Sequence, residues 1–212
     1  MAPGIYKTFK KALKDNLNKY IDYTNDDLNI KSDTERRVNN IFEMKDNDLD
    51  KLLVNTTNTS SLAINKIIQN SIIDTEKQCY QAMEGIVHNL NTLHSRAGAQ
   101  VPFSSLNFGT DTSNAGRMVI KNLLLAMEAG LGHGETAIFP ILIFKVKEGV
   151  NYYPEDPNYD LFKLSFRVTS KRLFPNYVFL DSPFNLQYYK PGHPETEVAT
   201  INKPVAVYSN IC

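Results

Sequence analysis

Between Arg96 and Asp111 the chain gathers an arginine, a glutamine, two adjacent serines, an asparagine and an aspartate around a short apolar stretch. Each such group costs free energy if it is buried unpaired, so a segment kept for packing alone has little use for so many. The chemistry they suit is recognition of a polar ligand by hydrogen bonding. The alternative is that Ser104, Ser105 and Asn107 satisfy backbone groups of their own loop. Read as a strand over Val101 to Phe108, alternation sends Phe103, Ser105 and Asn107 to one face and Ser104, Leu106 and Phe108 to the other. Gln100 and Pro102 then lie at the strand's start, where the backbone bends.

The elements that must hold this run change character near Gln100. Before it the periodicity is helical. Tyr6, Phe9, Leu13, Leu17, Tyr20 and Ile21 recur at three- and four-residue steps, which predicts an amphipathic helix from about Pro3 to Asp22. The polar stretch after it suits short helices near Asp33 to Phe42 and Asp46 to Leu53, then a loop over Asn55 to Ser60. A long helix is expected from about Leu62 to Leu93, with Asp74 to Lys77 a point where it could break and restart. After Gln100 strands and helices alternate. A helix begins at Ser113 and ends at Gly130 or Gly132. A strand runs from Ala137 to Lys147, with Pro140 near its start or at a bulge. A helix capped by Asp156 and Pro157 covers about Asn158 to Lys171, and Tyr177 to Leu180 forms a further strand element. That order implies a mixed or parallel sheet covered by helices.

Other motifs admit simpler readings. Asp111 or Ser113 suits the N-cap of the helix through Met118 to Ala129, and a functional version adds an anion at that positive end with Arg117 nearby. The glycines of Gly130 to Gly134 follow a helix and precede a strand without the Gly-Lys-Ser/Thr ending of a phosphate loop. They read as a sharp turn, with His133 only a minor possibility as a general base. The four histidines show no metal-ligand spacing. Cys79 sits on the apolar stripe of the long helix and reads as an inert buried thiol. The many tyrosines after residue 138 read as packing, since no basic stripe accompanies them.

Bulk properties narrow the class. The chain has 212 residues, enough for one large domain or two small ones, with 23 basic against 23 acidic side chains and no long run of one sign. That balance argues against nucleic acid held by a broad electrostatic footprint. Two cysteines make neither a zinc cluster nor a disulfide scaffold, and a reducing, cytoplasmic setting is expected. No segment has the ~18 apolar residues of a membrane span, and the N-terminus lacks a signal-peptide stretch.

A set of blocks carries a specific resemblance. Gln81-Ala82-Met83-Glu84-Gly85, Arg96-Ala97-Gly98-Ala99-Gln100-Val101-Pro102-Phe103-Ser104-Ser105, Gly130-Leu131-Gly132-His133-Gly134-Glu135-Thr136, Asp156-Pro157-Asn158-Tyr159-Asp160-Leu161-Phe162 and Gly192-His193-Pro194-Glu195-Thr196-Glu197-Val198-Ala199 resemble the anaerobic, class III ribonucleoside-triphosphate reductases of the glycyl-radical family. The likeness is nearly continuous from about residue 75 to 200, and residues 1–22 resemble a helix of the same barrel domain.

The resemblance implies that residues 1–200 are part of a ten-stranded α/β catalytic barrel, mainly helical over 1–93 and alternating strand and helix over 94–200. It also implies ribonucleoside triphosphates as substrates, formate as reductant, a homodimer and a separate radical-SAM activating enzyme. The family's further parts are a glycyl radical, a structural four-cysteine zinc site and nucleotide effectors, among them ATP at an allosteric region. Gln100, Ser104, Ser105 and Asn107, with Arg96 less strongly, are the expected substrate-binding residues. This sequence departs from the family after Ala199, where Thr200, Ile201, Asn202 and Lys203 stand in place of the Met-Gly-Cys-Arg-Thr that carries the thiyl cysteine. Neither Cys79 nor Cys212 inherits that role, so no catalytic or metal-binding residue is assigned. Residues 201–212 read as a divergent tail, the whole as a fragment from an interrupted or split gene. Alone it is expected to be inactive. Nucleotide binding without catalysis, or complementation of a second polypeptide, is the alternative role.

Overall fold

A computed structural model describes residues 2–23, 28–53, 62–92, 103–190 and 193. The loop expected at 55–60, Arg96, Gln100 and the 201–212 tail lie outside the described residues. The chain divides into two compact units, Met1–Cys79 with Ser113–Met118, and Tyr80–Thr112 with Val119–Cys212.

The first unit is helical: α1 (Ala2–Tyr23), α2 (Leu28–Phe42), α3 (Asp46–Leu52) and the first part of α4 (Leu62–Thr92). The three- and four-residue spacing of Phe9, Leu13 and Leu17 along α1 puts them on one buried stripe. Val38 and Ile41 of α2, Leu49 of α3 and Ile64 and Ile68 of α4 are buried in the same unit. Full burial of each such side chain contributes roughly 1.5–3 kcal/mol, well above any helix propensity. α4 runs unbroken through Asp74 to Lys77, so the break that those residues could have marked does not occur. The Thr75 hydroxyl donates to the carbonyl of Ser71 at 2.6 Å, and that of Ser71 to Ile67 at 2.6 Å. Both are wholly buried and satisfied within their own helix, so neither caps a new one.

The second unit is built on three parallel strands, β1 (Ser105–Phe108), β2 (Ile141–Val146) and β3 (Asn176–Phe179), in the order β1-β2-β3. They alternate with α5 (Asn114–Ala129) and α6 (Tyr159–Arg172), and a short α7 (Pro183–Leu186) follows. The right-handed rule for crossovers in this strand order predicts both helices on one face of the sheet. Phe144 marks that face: its ring lies 5.5 Å from Phe108, 5.9 Å from Phe162 of α6 and 6.1 Å from Tyr177. The Tyr177 hydroxyl bonds Ser165 and Thr169 of α6 at 3.1 and 2.9 Å. Packing thus accounts for these aromatic residues.

Two elements are shorter than expected. β1 starts at Ser105 and β2 at Ile141, just after a cis Phe139–Pro140 bond. Proline has no N–H for the ladder, which is why the strand begins beyond it. Residues 138 and 139 pair instead with a side chain: Asn91 of α4 accepts their N–H groups at 2.9 and 3.0 Å. The expected Asp156 cap is also redirected. Its carboxylate accepts the N–H groups of Tyr152 and Tyr153 in the preceding turn, both at 2.8 Å.

Candidate functional site

Strand register decides which side chains share a face. Ser105 pairs with Ile141 and Asn107 with Ile143, while Leu106 and Phe108 pair with Leu142 and Phe144. Ser105 and Asn107 therefore lie on the face opposite Phe144 and the helices. Ser104 precedes the strand, with its carbonyl accepting the N–H of Ile141 at 2.9 Å, and alternation sends its side chain the other way.

Ser104 Oγ, Ser105 Oγ and Asn107 Oδ1 are buried and have no hydrogen-bond partner among the described residues. An unsatisfied buried polar atom costs about 1–3 kcal/mol. All three belong to the run from which the sequence predicts ligand contacts. Among the described residues no backbone group takes up these atoms.

Lys145 is the residue that sequence reasoning missed on this face. It stands two positions beyond Ile143 on β2, so it shares the face of Ser105 and Asn107, and only 8% of it is exposed. Its place inside the apolar run Ile141 to Val146 was the available signal, because a lysine in a buried strand needs a polar reason.

The carboxyl end of β1 is held by two wholly buried asparagines, also missed from sequence. Asn151 donates to the carbonyls of Gly109 and Lys145 at 3.0 and 2.9 Å, and its Oδ1 accepts the N–H of Lys147 at 2.9 Å. Asn158 donates to the carbonyls of Gly109 and Asp111 at 3.2 and 2.8 Å. Gly109 itself has φ +125°, and a Cβ there would lie 2.7 Å from the Lys145 carbonyl oxygen. Only glycine fits that close crossing of backbones.

The other motifs resolve into structural roles. At the N-terminus of α5 the N–H groups of Asn114 and Ala115 donate to the Asp50 carboxylate at 2.9 Å, and that of Gly116 to Ser113 Oγ at 3.1 Å. A protein carboxylate and a cap occupy the positive helix end. His133 is exposed in the glycine turn, where its N–H donates to Glu135 at 3.0 Å. Arg172 closes the far end of α5, its Nε donating to the Glu128 carbonyl at 2.9 Å and one Nη to that of Ala129 at 2.9 Å. Cys79 is a buried thiol outside any disulfide. Among the described residues no cluster of three or more His, Cys, Asp or Glu could hold a metal ion, and no helix is long and apolar enough to cross a membrane.

The comparison with known families decides what this sheet belongs to. The sequence profile of the family described as anaerobic ribonucleoside-triphosphate reductase matches residues 2–201. The chain belongs to that family.

Named anaerobic ribonucleoside-triphosphate reductases show how much of such an enzyme is present. The protein of Salmonella typhimurium strain LT2 is 41% identical over 103 residues, 48% of this chain and 14% of its own length. That of Escherichia coli K12 is 40% identical over 103 residues, with the same shares. The reductase of Enterobacteria phage T4 is 44% identical over 105 residues, 49% of this chain and 17% of its own. The matched segment thus covers well under a fifth of each relative.

Proposed function

We propose that this chain supplies part of the ribonucleotide-binding wall of an anaerobic ribonucleoside-triphosphate reductase, an enzyme that reduces ribonucleoside triphosphates to deoxyribonucleotides in the cytoplasm by radical chemistry. The unpartnered Ser105 and Asn107 atoms on the face of β1 away from the helices carry this reading. Groups kept buried at a cost to the fold are expected where a ligand's hydroxyls complete their hydrogen bonds. Gln100 and Arg96 complete the proposed contact set, whereas Ser104, turned to the other face, is left out of it. The strands β1, β2 and β3 make an arc of the family's ten-stranded barrel, within the domain spanning 1–200.

The radical step, with its glycyl radical, formate, activating enzyme and dimer partner, belongs to the whole enzyme. A structural zinc does not fit here: the sequence has two cysteines, and Cys79 is buried. The chain alone binds nucleotide without turnover on this reading, because after Ala199 other residues stand where the family resemblance implies the thiyl cysteine.

Equilibrium dialysis of the 212-residue chain with a ribonucleoside triphosphate tests the site. Ser105→Ala and Asn107→Ala should each weaken binding by about 3- to 10-fold, the worth of one hydrogen bond. Unchanged affinity in both variants would overturn the assignment. Deoxynucleotide formed by the chain alone, with activating enzyme and formate supplied, would overturn its inactivity.

A further inference from the structure

Lys145 is out of place by composition and in place by geometry. Burying an ammonium on the strand face it shares with Ile141 and Ile143 is unfavourable unless negative charge or strong acceptors meet it. Along β2 it is the last residue on the Ser105–Asn107 face before the strand ends at Val146. That is the carboxyl end of a parallel sheet, where ligands bind in open α/β architectures. An ammonium carries three N–H donors, so a bond to the protein leaves donors for a ligand oxygen.

Ser105 and Asn107 offer neutral hydrogen-bonding groups suited to hydroxyls, and Lys145 adds the one formal charge that strand register brings to their face among the described strand residues. From this juxtaposition we propose that Lys145 binds the phosphates of the nucleotide, while Ser105 and Asn107 bind its uncharged part. The inference rests on the site proposed above and adds a division of labour within it. Asn151 supports that division as a positioning residue, because its side chain is bonded to the Lys145 carbonyl and so fixes the backbone from which the ammonium projects.

The test compares CTP with cytidine, which lacks the phosphates, on the full 212-residue chain. Lys145→Met should lower CTP affinity at least about tenfold, as expected for a charge-assisted contact. It should leave cytidine affinity within about twofold, and Lys145→Arg should restore most CTP binding, since a general loss of packing would weaken both probes alike. CTP binding should also fall with added salt more steeply than cytidine binding. CTP affinity that survives Lys145→Met, with Ser105→Ala still weakening it, overturns the role of Lys145 and leaves the site standing. Failure of the chain to bind either probe overturns the site and this inference together. Should Lys145→Met lose its helical circular dichroism, the wild-type chain decides. A salt-sensitive preference for CTP supports the proposal, and equal, salt-insensitive binding of the two probes overturns it.

Discussion

Asn151 donates a side-chain N–H to the carbonyl of Gly109 at 3.0 Å across 42 residues of sequence, pinning the end of β1 where it turns away from the sheet. The same amide donates to Lys145, so one buried side chain ties together the ends of the two strands that carry the proposed site. Asn151→Asp keeps the acceptor for Lys147 but turns a carboxylate oxygen toward two carbonyls. We expect a loss of about 3 kcal/mol or more in urea unfolding, against less than about 0.5 kcal/mol for a typical exposed substitution. An Asn151→Asp chain as stable as the parent would refute the clamp.

Ser105→Ala should act with opposite signs on stability and binding. Its hydroxyl has no partner among the described residues, so removing it relieves a buried unsatisfied group. The expected change is neutral to stabilising by up to about 1 kcal/mol, together with weaker nucleotide binding. Thermal unfolding beside the dialysis measurement reads both signs. A clear loss of stability would show that the hydroxyl serves the fold.

Asp50 receives the N–H groups of Asn114 and Ala115 and returns its own carbonyl to the Asn114 side chain at 2.9 Å. It also accepts the hydroxyl of Tyr6 at 3.0 Å. Asp50→Ala should cost about 1–2 kcal/mol through the lost cap, with Asp50→Asn recovering part of it. Chemical denaturation of the three chains measures the order.

Leu173 ends α6 at φ 65° with its side chain largely exposed. That left-handed conformation costs a residue with a Cβ about 1–2 kcal/mol, while glycine takes it freely. Glycine also loses more entropy on folding, so Leu173→Gly should raise stability by a net of up to about 1 kcal/mol. A lower melting temperature for the glycine variant would contradict this.

The Asp33 carboxyl should titrate below the ordinary carboxylate value. The hydrogen bond from Arg36 is the largest cause, helped by the charge of Arg37 and its own bond. With the folded value depressed, the pair's contribution is present above the unfolded carboxylate value. It disappears as pH falls through the folded one. Carboxyl NMR should show the Asp33 titration moving up in Arg36→Met, and no movement would assign the depression to Arg37.

Much of the architecture is readable from local pattern. The spacing of Phe9, Leu13 and Leu17 defines α1, the apolar run around Leu142 and Phe144 defines β2, and Ser113 caps α5 as its residue type suggests. Each of these carries its signal within a few residues along the chain, which is why the sequence reveals them. The break that Asp74 to Lys77 could have marked is absent for the complementary reason. Thr75 is a good cap by type, but burial leaves its hydroxyl the carbonyl of its own helix as partner.

By itself the sequence determined the family blocks, the order of helices and strands, and the concentration of polar groups between Arg96 and Asp111. Alternation already put Ser105 and Asn107 on one face; the tertiary structure alone decided that Lys145 joins them, because parallel register pairs residues whose separation carries no local signal. It also decided that Asn151, Asn158 and Asp50 hold the ends of β1 and α5. Those bonds span 42 to 65 residues and exist only once the fold has brought their backbones within hydrogen-bond reach.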